Sequence, residues 1–70
     1  MRRTLKANRE KIKEAREKIG KSQGQMAIEL GIPKSTYLTY EHGYHIPPIH
    51  IREKIASKLG VDIAEIYQDI

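Results

Sequence analysis

Cysteine, tryptophan and phenylalanine are all missing from this chain of 70 residues. Without cysteine there is no disulfide and no thiolate metal site, and nothing opposes a reducing compartment. Without tryptophan and phenylalanine the core has to come from isoleucine, leucine and four tyrosines. Long hydrophobic runs are lacking too. None exceeds two or three residues, so we read no signal-peptide core and no membrane-spanning helix, and expect a cytoplasmic product that does not engage a membrane. Also missing are paired carboxylates, a nucleophile beside a base, a phosphate-cradling glycine loop and a Cys/His cluster. His42, His45, His50 and Glu53 come nearest to a metal set, but their spacing crosses a loop holding Pro47 and Pro48 and no thiolate joins them. We therefore expect no enzyme, no cofactor, no metal and no small-molecule ligand. The length suits one small domain that buries only roughly 60% of its unfolded surface, with no separate effector domain.

What is present is charge, unevenly placed. The net charge is +4. Residues 1–21 carry nine Lys/Arg against three Glu, whereas residues 22–70 carry four basic against six acidic side chains. A basic start and an acidic end orient a molecule toward a polyanion. The first helix read alone is equally a solvated, charge-laced surface, with Glu10 and Glu14 among Lys6, Lys13 and Lys18.

Glycine punctuates the rest. Gly20, Gly31, Gly43 and Gly60 each follow a stretch with helical apolar spacing, as a left-handed cap would. No stretch alternates like a strand between hairpin turns. The spacing predicts an all-α chain of five helices. The first runs over about 5–19 with Leu5, Ile12, Ala15 and Ile19 inward. The second starts at Ser22, with Gln25 completing a capping box. The third begins at Pro33 and ends near Glu41, the fourth begins at about Pro48, and a short fifth is capped by Asp62. The fifth carries a stripe of Ile63, Ile66, Tyr67 and Ile70, which can close the core and also offer a dimer face. The first four residues are expected to fray. Residues 1–8 are read as a basic arm and the start of the first helix, and residues 9–70 as the domain.

The second and third helices form a constellation. Ala27 lets two helices cross closely, Gly31 makes the tight turn, and Leu30, Tyr37 and Tyr40 lock the crossing, which is the helix-turn-helix arrangement, here over about 22–42. Such rigidity presents the third helix as a probe that fits a major groove about 12 Å wide. On its wheel Thr36, Tyr37 and Tyr40 face inward, while Lys34, Ser35, Leu38 and Thr39 face out. Lysine can donate to guanine, serine and threonine hydroxyls can bond several bases, and Leu38 or the Thr39 methyl can touch a thymine methyl.

The run Ile12-Lys-Glu-Ala-Arg16, Ser22-Gln23, Met26-Ala27, Leu30-Gly31-Ile32, Ser35-Thr36-Tyr37, Tyr40-Glu41-His42-Gly43, Pro47, Ile55-Ala56 and Leu59-Gly60-Val61 resembles the phage repressor/Cro (XRE) family of helix-turn-helix proteins over about residues 10–67. The resemblance implies a compact five-helix bundle of the phage-repressor type. It implies that Gln23, with Ser22 and the backbone N–H groups there, holds a phosphate. It matches Lys34, Ser35 and Thr39 to base-reading positions, with Leu38 on the same face, and Thr36, His42 and Tyr44 to positions that touch the sugar-phosphate backbone. Arg16 and Glu41 match a buried ion pair. The sequence departs from the pattern at Tyr37, Tyr40, Pro33, Gly24, Lys21 and Arg52. The implied function is a sequence-specific double-stranded-DNA-binding transcriptional regulator, a repressor in particular, acting as a homodimer on a two-fold symmetric operator. Alternatives are an antitoxin, a mobile-element or restriction-system regulator of the same fold, or a protein-interaction module that does not bind DNA. Arg2, Arg3 and Lys6 are then a tail, or an arm following the DNA backbone.

Overall fold

The computed structural model describes residues 5–69. Arg2 and Arg3 of the basic arm, the expected fraying of the first four residues, and Ile70 of the apolar stripe lie outside the described residues. In chain order the elements are β1 (Leu5–Ala7), α1 (Arg9–Lys18), α2 (Gln23–Leu30), α3 (Lys34–His42), α4 (Ile49–Leu59), α5 (Ile63–Ile66) and β2 (Tyr67–Asp69).

Five helices and the α2–turn–α3 unit are as the sequence predicts; the two strands correct the all-helical expectation. β1 and β2 pair antiparallel, with Leu5 opposite Asp69, Lys6 opposite Gln68 and Ala7 opposite Tyr67. The backbone N–H of Asn8 continues the join, donating to the Ile66 carbonyl at 2.8 Å. Strands of three residues are too short to show a period, and their partners lie at opposite ends of the sequence. The pairing changes both neighbouring helices. α1 begins at Arg9 rather than near residue 5, because the Asn8 side chain accepts from the Lys11 N–H at 3.1 Å and caps it there. α5 is one turn, and Tyr67 leaves it in extended geometry.

Ser22 Oγ caps α2 by accepting from the Gln25 N–H at 3.0 Å. The capping box is only half formed, because the Gln25 amide donates to Glu29 at 2.9 Å instead of reaching back. Pro33 and Pro48 stand at the N-cap positions of α3 and α4 rather than inside the helices, and Asp62 makes no side-chain cap bond. Gly31 closes α2 at φ +71° and Gly43 closes α3 at φ +80°, where a side chain would be strained. A Cβ at Gly43 would meet the Ala7 Cβ at 3.6 Å, an ordinary contact, so it is the backbone angle and not crowding that calls for glycine there.

Ile12, Ala15, Met26, Ala27, Leu30, Tyr37, Ile51, Ile55, Ala56, Leu59, Ile66 and Tyr67 make one core, with Ala7 of β1 added to it. Ile66 and Tyr67 are thus buried in the chain's own interior, where they close the core as the stripe was expected to. Two of the residues at which the sequence departs from the family pattern gain a physical reason. The Arg52 guanidinium donates to the Pro47 carbonyl at 3.0 Å and pins the loop before α4. Lys21 reaches Glu29 at 2.5 Å, and Lys58 approaches the same carboxylate at 3.5 Å. Among the described residues no helix is long and apolar enough to cross a membrane.

The Tyr67 hydroxyl is buried without a hydrogen-bond partner, and burial pushes its pKa up to about 12. A buried, unmade hydrogen bond costs about 1–3 kcal/mol. Tyr67→Phe keeps the ring and removes that penalty, so it should raise stability by about 1 kcal/mol, read as a higher urea midpoint at unchanged m-value. A lower midpoint would show that the hydroxyl is satisfied in solution.

Candidate nucleic-acid interface

A probe helix works only if its orientation is fixed, and here one carboxylate fixes it. Glu41, in the last turn of α3, is 4% exposed. It accepts from Arg16 Nε of α1 at 2.6 Å, from Gln23 Nε2 of α2 at 2.7 Å and from Tyr37 Oη one turn back at 2.9 Å. Arg16 Nη2 reaches the second carboxylate oxygen at 3.4 Å, and Nη1 donates to the Lys21 carbonyl at 2.8 Å. The Arg16–Glu41 ion pair that the resemblance implies is therefore present, and Gln23 and Tyr37 extend it. Burial pushes the Glu41 carboxyl up, but the hydrogen bonds from Arg16, Gln23 and Tyr37 outweigh burial and hold it below the ordinary carboxylate value. The hydrogen bond to Glu41 raises Arg16 against its own desolvation. Burial, with the carboxylate alongside, raises the Tyr37 phenol. At neutral pH the cluster is one cation, one anion and a neutral phenol.

With Tyr37 fully buried, the opposite face of α3 looks out. Lys34 and Ser35 are exposed, while Thr36, Leu38, Thr39 and Tyr40 are half-buried. The Lys34 and Ser35 side chains make no hydrogen bond or ion pair among the described residues. Thr39 differs: its hydroxyl donates to the Thr36 carbonyl at 2.7 Å. At the end of the helix the His42 ring stacks on Tyr44, with centroids 5.6 Å apart and planes at 25°, and Tyr44 is 72% exposed.

Beside this face lies a basic flank. Arg9, Lys13, Gln23, Glu41 and His42 line a small recess where α1, α2 and the end of α3 meet. Ser22 is exposed and keeps its hydroxyl hydrogen, because its oxygen acts as the cap acceptor. Gln23 has one of its two amide hydrogens on Glu41, which leaves the other for an anion. Sequence reasoning missed Arg9 and Lys13. One helical turn apart, they look like any solvated pair until the fold sets them against Gln23 and His42. Of the expected dimer stripe, only Ile63 keeps partial exposure among the described residues. No three His, Asp or Glu side chains among the described residues are grouped to hold a metal ion.

Comparison with known proteins meets this geometry. A helix-turn-helix family model matches residues 12–66. The transcriptional repressor RstR of the cryptic phage CTXphi from Vibrio cholerae is 39% identical over 59 residues, which cover 84% of this chain and 53% of that protein. RstR of the same phage from a Vibrio cholerae serotype O1 El Tor strain is 38% identical over 58 residues, 83% of this chain and 52% of that protein. The chain spans about half the length of these curated relatives.

Glu41→Ala leaves the Arg16 guanidinium buried without its counter-charge, a change that costs about 3–5 kcal/mol, so the thermal unfolding midpoint should fall steeply. The pH sign follows from the lowered carboxyl. The cluster's contribution is complete above the ordinary carboxylate value of 4.5 and is lost as pH falls through the lower folded value. Wild-type stability should therefore decline in acid, and Glu41→Gln should flatten that decline. An unchanged acid limb in the variant would place the pH sensitivity elsewhere.

Proposed function

This chain belongs to the helix-turn-helix family, and on that premise we propose that it binds double-stranded DNA sequence-specifically as a transcriptional regulator, in the manner of a repressor, with α3 in the major groove. The observation that carries the reading is the solvent-facing side of α3 held rigid by the buried Glu41 cluster. Lys34 and Ser35, exposed at the start of the helix, and Leu38 and Thr39, one turn on, are the base-reading set. Ser22, Gln23, Thr36, His42 and Tyr44 take the sugar-phosphate backbone, joined by Arg9 and Lys13 on the basic flank. The repressor named in the two phage relatives supports repression here by occupancy of the site.

The chain acts as a homodimer on a two-fold symmetric operator, with half-sites roughly 34–36 Å apart. Ile66 and Tyr67 are taken up by the core, so among the described residues the part of the apolar stripe that remains for a partner is Ile63.

Selecting bound sequences from a random DNA pool tests the reading, and a palindromic consensus with that spacing is the expected result. Lys34→Ala should cost about 1–3 kcal/mol and relax preference at one base pair. Arg9→Gln and Lys13→Gln should weaken all sequences alike, each lowering the slope of log K against log salt by about 1. Binding that is weak, salt-insensitive and indifferent to sequence would point instead to a protein-docking module.

A further inference from the structure

We infer that Thr39 reads DNA with its methyl group and not its hydroxyl, making it the determinant of a thymine in each half-site; the inference deepens the DNA-binding reading and rests on it. The hydroxyl hydrogen of Thr39 is already committed. It is donated to the Thr36 carbonyl at 2.7 Å within the same helix, the back-bond that threonine makes to the preceding turn. Donating it to a base would break a bond that is in place. Ser35, one turn earlier on the same face, carries no such bond and is exposed, so the two hydroxyls are not equivalent.

The surroundings of Thr39 agree with an apolar reader. With Ser35, Thr36, Tyr40, His45 and Ile46 it lines a shallow recess beside α3. Tyr40 and Ile46 pack against the core and are only partly buried, so they bring apolar surface to the recess. In the major groove the thymine 5-methyl is the one apolar group that a base pair displays. With its hydrogen spent, this threonine has nothing to donate to a carbonyl oxygen or ring nitrogen of a base; its oxygen can still accept from an amino group, but the isoleucine and tyrosine beside it favour the methyl as the reading group.

The test uses the 70-residue chain and the duplex selected from the random pool, with each thymine replaced in turn by deoxyuridine, which removes only the 5-methyl. Wild type should lose about four-fold in affinity at one thymine per half-site, the worth of one buried methyl. Thr39→Val keeps the methyl and discards the hydroxyl, and should retain that loss. Thr39→Ser keeps the hydroxyl and discards the methyl, and should bind the thymine and uracil duplexes alike. Thermal melts check that both variants stay folded. Three results would overturn the inference alone: no thymine sensitive to replacement, sensitivity that persists in Thr39→Ser, or sensitivity erased by Thr39→Val. Failure of wild type to select any sequence would instead overturn the DNA-binding reading, and this inference with it.

Discussion

A single carboxylate, Glu41, receives hydrogen bonds from Arg16, Gln23 and Tyr37, on α1, α2 and α3 respectively. Apolar contacts between short helices tolerate sliding and small rotations, whereas bonds to one anion do not. In a domain of this size the core alone sets crossing angles weakly, so directional bonds supply the geometric definition. The arrangement costs the desolvation of a charge pair, which a hydrophobic replacement would not. The return is in definition: Gln23, at the first turn of α2, and the last turn of α3 are tied to the same two oxygens. The phosphate-facing and base-facing parts of the proposed interface are therefore held at a fixed separation.

Charge is distributed to match. The solvent-facing side of α3 has one formal cation, Lys34, while Arg9 and Lys13 stand on the flank with Gln23 and His42. Basic side chains elsewhere are partly neutralised, as where Lys21 and Lys58 both approach Glu29. Contacts to phosphate set affinity and salt dependence, and contacts to base edges set sequence. On the proposed function, separating the two roles on adjacent surfaces would let a mostly neutral face discriminate through hydroxyl and methyl groups without being swamped by attraction to the backbone.

The parts of this fold legible in the sequence are those with local causes. Gly31 and Gly43 end helices because a left-handed residue is needed there, and Ser22 caps because its oxygen lies three residues from a free N–H. What was hidden depends on residues far apart. Tyr67 sits four residues after Ile63, a spacing that fits a helical stripe as well as a strand start, and pairing with Ala7 decides the matter. Tyr37 reads as an inward-facing residue that locks the helix crossing; its hydroxyl matters only because Glu41 lies one turn on in a buried site. Arg9 and Lys13 carry no local mark that separates them from Lys11 or Lys18. The Thr39 back-bond is local, yet threonine in a helix has two accessible rotamers, so the sequence leaves open whether its hydroxyl or its methyl is offered.

The strand pair that the sequence conceals also bears on the probe helix. β1 joins the two ends of the described chain and sets Ala7 against Gly43, the residue that closes α3. The C-terminal half of α3 is thus held by Glu41 from within, with Ala7 lying beside its cap. The N-terminal half is tied instead through the turn from α2, where the Ile32 N–H donates to the Ala27 carbonyl at 3.1 Å, while Lys34 and Ser35 stand in solvent. A short methyl-to-methyl contact demands placement to a fraction of an ångström, because dispersion falls away steeply with a small gap. A lysine on a flexible stem can find its acceptor from several positions. The order of residues along α3 matches the roles proposed for them, with the long adaptable donor at the solvent-exposed start and the short, stiff threonine beside the last turn that Glu41 holds.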